Sequence, residues 1–423
     1  MHMHKVTGNS DNMEEILSLF FSQISLLCFD KAKEIVERER DTSPAGPYRL
    51  FLSQLPNLLI AEKSYVELGF VSSKNKIFLR KDNSLKSMYE QLRQDLHKLE
   101  ESSDIKVALM AGKICHYLML RSQLIDIYEK LYGMGSSNRP MKCEEVLTQV
   151  EGILDAILKS QSDLNMIKAS CIQECEILLY LLRALLDVQN CQFLPSLVNL
   201  HSAHIRLNTW ERALQNRESW KLGFGPSFLK GNPLPALVQW LGKLKATIVI
   251  KFSLYFHHTL SQQTTPQEMR AICSKHNVDY FHKLQTLQRR CSATTIMLIF
   301  DASGLPDWSG LGYRHPKRPP EPLVQFYIVV YYPYNLIEQL PTIGKAITEK
   351  SADLAQMDKI ICCYSIKDQS TYFLSCIDPR VNLVVVFDSK KDERETPLCK
   401  YITEFSAQLR CNRVFSYLKL NNK

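Results

Sequence analysis

The hydrophobic period changes at Thr294, and that change divides the chain into two kinds of sequence. Upstream, apolar side chains recur every three or four positions, which is the spacing of a helical face. Downstream, Thr294-Thr-Ile-Met-Leu-Ile-Phe300 is a short apolar, partly β-branched run stopped by Asp301-Ala-Ser-Gly304, and 324–331 is a second, stopped by Tyr332-Pro333. Residues 336–354 return to helical spacing. Three more strand candidates follow at 359–365, 371–376 and 382–388, and an amphipathic segment over 398–409 closes the unit. The order β-β-α-β-β-β-α specifies one antiparallel sheet with a helix layer. The expected fold is therefore α+β, with an all-helical N-terminal bundle over 1–290 and a sheet-bearing unit over 291–423.

Eight to ten helices are expected before Thr294. One spans 13–40, with Asp11-Asn12 as N-cap residues. Another covers 48–70, where Pro56 is expected to kink it or start a new helix. Further segments follow at 84–100, 104–132, 142–160, 163–188, 193–221, 235–260 and 279–290. Thr265-Pro266 has the cap and first-position residues of a short extra helix. In 163–188 a wide apolar stripe of Cys171, Cys175, Leu178, Leu182 and Leu185 marks a central helix. In 193–221, Phe193, Leu197, Leu200 and His204 are expected to face the bundle.

Composition narrows the function classes. With 45% hydrophobic and 23% charged residues, the chain has the balance of a globular protein. The net charge of +8 is modest over 423 residues, below what nucleic-acid binders concentrate on one face. The 13 cysteines are odd in number, lie in apolar stretches and form no C-x-x-C pair, which fits reduced, buried thiols in a reducing compartment. No apolar run approaches the roughly 18 residues of a membrane span, so membrane association is expected through partners.

No set of residues specifies a reaction, and no cofactor, metal or catalytic residue is assigned. His201/His204 and His257/His258 are pairs without the third and fourth ligands a zinc site needs. Gly344-Lys345 lacks the rest of a P-loop. Asp301-Ala-Ser-Gly304 superficially matches the Asp-x-x-Gly of nucleotide switches, but reads more simply as an Asx turn. Cys171 and Cys175 lie mid-stripe, where an apolar setting keeps a thiol protonated and inert. What remains is the loop 302–323, long for a compact domain. It carries Trp308, Tyr313 and His315 beside Lys317-Arg318, the candidate partner-binding residues, because aromatic side chains add contact area at little entropic cost. A direct GTPase or nucleotide regulator and a basic-surface RNA or lipid binder stand as the alternatives.

Several stretches resemble the subunit 2 proteins of the KICSTOR complex. They are Asp30-Lys-Ala-Lys33, Phe193-Leu-Pro-Ser-Leu-Val-Asn-Leu-His-Ser-Ala-His204, Lys251-Phe-Ser-Leu-Tyr-Phe-His257, Leu260-Ser-Gln-Gln-Thr-Thr265, Gln369-Ser-Thr-Tyr-Phe-Leu374 and Ser389-Lys-Lys-Asp-Glu-Arg394. The resemblance covers nearly the whole chain and departs at the N-terminus, in the loops, and in Gly312-Tyr-Arg-His-Pro316, where Arg314 stands in place of an expected His. It implies a roadblock-like C-terminal unit and a non-enzymatic scaffold subunit that is cytoplasmic and sits at the lysosomal membrane surface through partners. It further implies a kaptin-like protein and other KICSTOR-like subunits as partners, with the GATOR complex and Rag GTPases reached indirectly. In that setting the scaffold recruits the GATOR GTPase-activating complex and restrains target-of-rapamycin kinase signalling when amino acids or glucose are scarce. Homo-oligomerisation is left open.

Overall fold

The structure, a computed structural model, describes residues 8–70, 84–137, 142–159, 165–216, 234–265, 278–305, 325–357, 359–392 and 396–418, with the isolated positions 267, 268 and 271. The helical part contains α1 (Gly8–Ser25), α2 (Phe29–Thr42), α3 (Pro47–Val66), α4 (Leu85–Glu100), α5 (Ile105–Gly135), α6 (Glu144–Lys159), α7 (Asn165–Gln189), α8 (Phe193–Asn216), α9 (Ala236–Tyr255), α10 (His257–Gln263) and α11 (Tyr280–Cys291). The sheet part contains β1 (Thr295–Asp301), β2 (Phe326–Tyr332), α12 (Leu340–Glu349), α13 (Ser351–Leu354), β3 (Ile361–Ser365), β4 (Ser370–Asp378), β5 (Val381–Phe387), α14 (Thr396–Arg410) and α15 (Arg413–Ser416).

The α+β class and the strand order read from the sequence hold. All pairings are antiparallel, in the spatial order β2-β1-β5-β4-β3. The sheet has more than one helix layer, however. Alternate side chains of β1, β4 and β5 point to opposite faces. Met297, Ile299, Tyr372, Leu374, Val384 and Val386 pack with Leu340, Ile343 and Ile347 of α12. Ile296, Leu298, Phe373, Leu383, Val385 and Phe387 join the core of the helical part, together with Ile402, Phe405 and Leu409 of α14. One continuous core thus runs from Leu17 in α1 to Leu418. Burial on both faces explains why Val381-Asn-Leu-Val-Val-Val-Phe387 is an almost unbroken apolar run.

Helix α12 crosses β2 at Gly344. A methyl group added there would meet the ring of Phe326 at 2.5 Å, closer than side-chain carbons approach. Gly344→Ala is expected to cost about 1–3 kcal/mol through overpacking, read as an earlier denaturant midpoint at unchanged slope.

Several boundaries differ from the sequence reading. The helix expected over 13–40 is two: the chain turns at Leu27, whose φ of 57° is left-handed, and Cys28 N–H bonds back to the Gln23 carbonyl at 2.8 Å. Helix α1 is already under way at Gly8, so Asp11 and Asn12 lie inside it and do not cap it. Helix α3 continues through Pro56 as one element. The helix expected over 235–260 ends at Tyr255 and restarts at His257, where Phe193, Phe252 and Phe256 pack ring to ring. Thr265 is the expected cap: its hydroxyl accepts from Glu268 N–H at 3.3 Å, and the Glu268 carboxylate accepts from Thr265 N–H at 2.8 Å. Pro266 lies outside the described residues.

The inward face of α8 is also different. Ser196, Leu200, Ala203, Leu207, Trp210 and Leu214 are buried, whereas Leu197 and His204 are exposed.

The C-terminal turn folds back onto the helices. Trp240 of α9 donates its indole N–H to the Val414 carbonyl at 2.9 Å, and its ring meets that of Phe415 edge-on at 6.2 Å. Gly135, at the end of α5, admits Phe415 only because it has no side chain, since a Cβ there would lie 2.5 Å from that of Phe415.

Candidate functional site

The candidate partner-binding residues Trp308, Tyr313, His315, Lys317 and Arg318 all lie outside the described residues. The points where their loop leaves and rejoins the sheet are described. The Asp301 carboxylate accepts from Ser303 N–H at 2.8 Å, closing the expected Asx turn, and Gly304 takes a left-handed φ of 70°. Arg380 donates to the carbonyls of Asp301 and Ser303 at 3.2 and 2.8 Å. Ala302 N–H bonds to the Gln325 carbonyl at 2.8 Å, so the two ends of the loop sit side by side. Asp301 is thus engaged in shaping the loop base.

Beside Asp301 opens a cleft of about 690 Å³ between the ends of α5 and α6 and the α12–α13 side of the sheet. Its volume falls in the range of roughly 300–1,000 Å³ usual for ligand sites. Met134, Ile347, Leu354 and Pro379 supply an apolar lining, and Lys130, Lys142, Glu145 and Asn382 its polar rim. Lys130 is ion-paired with Glu145. The cysteine at the cleft is Cys376, whose thiol burial pushes up to about 11 and whose proton goes to the Asp378 carbonyl at 3.2 Å. Such a thiol is a poor nucleophile at neutral pH. The cleft can hold a ligand or a peptide, but its described residues do not assemble a base and a nucleophile.

Two buried polar clusters were missed by sequence reasoning. In the first, Arg121 of α5 bridges Glu174 of α7 at 2.6 Å and Glu62 of α3 at 3.1 Å, while its Nε donates to the Tyr117 hydroxyl at 2.8 Å. The hydroxyls of Tyr65 and Tyr128 donate to Glu174 at 2.6 and 2.8 Å, and that of Tyr89 of α4 donates to Glu62 at 2.7 Å. Burial first, and then these carboxylates, raise the phenols far above their ordinary range, so they stay protonated as donors. Cys171 touches the same cluster. Burial pushes its thiol to about 12, as expected of an inert cysteine, although its setting is polar and not apolar. A void of about 10 Å³ lies at the cluster, room for a single water at most.

The second cluster joins the helices to the sheet. Asp378, at the bulged end of β4, accepts from Lys251 of α9 at 2.6 Å and from Gln189 of α7 at 3.0 Å, and also from the Tyr255 hydroxyl. Lys251 is fully buried. Both clusters are organised as internal pins, with their charged groups buried between elements. The sequence does carry a trace of each, in Glu174 and Lys251, charged residues at core positions of apolar helices.

The histidine pairs do not converge on a metal. No group of three or more metal-ligating side chains occurs among the described residues. His204 is exposed, with Asn208 at 3.0 Å and Lys245 at 3.3 Å. His257 stacks face to face on Phe281 at 3.6 Å and His258 lies against Tyr331 at 4.7 Å, each with one buried ring nitrogen lacking a hydrogen-bond partner. Burial first, and then His258, pushes the His257 imidazole down to about 4. Its folded pKa is below the unfolded value of about 6.5, so its contribution is complete above that pH and is lost as pH falls toward 4. Thermal melts from pH 7 to 4 are expected to decline with a His257 component on the order of 1 kcal/mol, after discounting for partial exposure, and His257→Gln is expected to remove it.

No helix among the described residues is long and apolar enough to cross a membrane. The family described as KICSTOR complex C12orf66 like matches residues 10–423. The chain is 33% identical over 436 residues to KICSTOR subunit 2 of Danio rerio, covering 96% of each chain, and 33% identical over 436 residues to KICSTOR subunit 2 of Xenopus laevis, covering 97% of each.

Proposed function

The chain belongs to the KICSTOR subunit 2 family, and from that premise we propose that it is a non-enzymatic scaffold subunit of a KICSTOR-like complex. The observation that carries this reading is similarity along almost the entire length, helices and sheet together, with relatives named as subunits of that complex. The geometry supports it. The buried ionic clusters pin helices to one another and to the sheet, as suits a framework that presents surfaces to partners.

In this reading the subunit works with a kaptin-like protein and other KICSTOR-like subunits at the lysosomal surface. The assembled scaffold brings the GATOR GTPase-activating complex to the Rag GTPases and holds down target-of-rapamycin kinase signalling when nutrients are scarce. The roadblock-like C-terminal unit, with its edge strands β2 and β3, and the loop carrying Trp308 and Tyr313 are the proposed contact regions. Tagged full-length protein from cells of the source organism is expected to co-purify with such subunits, and its deletion to leave the kinase active during amino-acid starvation. Purification without them, together with normal shut-off in the deletion, would sink the proposal.

A further inference from the structure

Helix α8 is apolar on both sides. Its inner face is packed into the core, yet its outer face presents Leu194, Leu197, Val198 and Ile205, each between 42 and 55% exposed. With exposed His201 among them, Leu194, Val198, His201 and Ile205 recur at four, three and four positions, a seam running about 16 Å along the helix. Singly exposed apolar residues are ordinary, but four on one helical face form a contiguous patch of the kind that marks an interaction site. Neighbours within the described residues do not cover it: α7 and α9 pack against the flanks and inner side of α8, as the contacts of Arg206 with Glu176 and of His204 with Lys245 show.

The charge around the seam identifies the occupant. Exposed Arg212 lies two turns beyond Ile205 on the same face and makes no ion pair among the described residues. Lys245 stands at the α9 flank beside His204, and His201 lies within the seam. The carboxylates nearby are engaged. Glu176 is taken by Arg206 at 2.7 Å and Asp187 by Asn199 at 2.8 Å, while Glu211, the one acidic residue of α8, lies near Gly242 of α9 and offsets part of the charge of Lys245 and His204. The seam is therefore apolar with a net basic rim, carried chiefly by Arg212. We propose that it docks an amphipathic helix of a different polypeptide, one whose apolar stripe is flanked by Asp or Glu. A second copy of this chain would bring a basic rim and no free carboxylate to the same seam, which is why a heterologous acidic helix fits better.

The proposal rests on the scaffold reading and names one of its contact surfaces. The test uses the full chain in its assembled complex, with a photo-crosslinking amino acid at Val198 and, as a control, at exposed Leu50 of α3. The expected result is a cross-link from position 198, absent from position 50, to a net-acidic segment with helical apolar spacing in another subunit. Val198→Asp with Ile205→Asp is expected to lower retention of that subunit at least tenfold at an unchanged melting temperature, and Arg212→Glu to lower it several-fold. A cross-link to a second copy, to lipid or to a basic segment overturns the assignment, as does an assembled complex with no cross-link at 198. If no KICSTOR-like subunit co-purifies at all, the scaffold reading fails first and the docking proposal with it.

Discussion

Arg121→Met is expected to leave the helical part unable to hold its native packing at 25 °C. Among the described residues the guanidinium is the one cation facing two buried carboxylates, Glu62 and Glu174, and its removal strands both. Breaking one buried pair typically costs about 3–5 kcal/mol, so stranding two is expected to exceed about 5 kcal/mol, the lower end of total stability for a domain. The tyrosine donors of α3, α4 and α5 cannot replace the lost charge, because they already donate in the native cluster. The triple variant Arg121→Met, Glu62→Gln, Glu174→Gln keeps oxygen acceptors for the three phenols without a net buried charge, and is expected to recover most of the loss. Circular dichroism and urea titration of both variants check this. A single variant as stable as the parent would mean that the cluster is wetter than its burial implies.

Asp378→Ala is the second large effect, and it acts where helices and sheet meet. Lys251 would be left fully buried with no counter-charge, and Gln189 and Tyr255 would each lose an acceptor. The expected cost is about 3–5 kcal/mol. Lys251→Met combined with Asp378→Asn removes both charges and leaves an amide oxygen for Gln189 and Tyr255, and is expected to cost clearly less than Asp378→Ala alone. Hydrogen exchange gives the sharper readout. Protection in α9 and β4 should fall together in Asp378→Ala, since one carboxylate ties both, whereas a loss of protection confined to β4 would show the tie to be slight.

The five strands were legible because each is a β-branched or aromatic run between turn markers, and that local signal survives without tertiary context. Helix α5 was legible as a long helix over 104–132, and the structure adds that the Asp104 side chain caps it. The breaks at Leu27 and Phe256 were not. Neither carries Gly or Pro: the first uses a leucine in a left-handed conformation, and the second is set by aromatic packing from α8. The outward face of α8 was misread because its apolar residues surround the helix, so periodicity could not say which side packs inward. The ionic clusters were invisible for a different reason. Arg121 lies 53 and 59 positions from its carboxylates, and Lys251 lies 127 from Asp378, so a charged residue in an apolar helix announces a partner without naming it. The aromatic loop proposed to meet partners was legible only as a long interruption between two strands.

The seal formed by Val414 and Phe415 on Trp240 bears on how the molecule is made. Synthesis runs from the N-terminus, so α5 and α9 emerge long before the turn that covers them, with every strand of the sheet still to come. Until then the indole N–H has no Val414 carbonyl to meet and the groove at Gly135 stands open. The nascent helices therefore await a late latch, and a messenger cut short after β5 would yield a polypeptide carrying an uncovered tryptophan, a ready mark for chaperones and proteases to read.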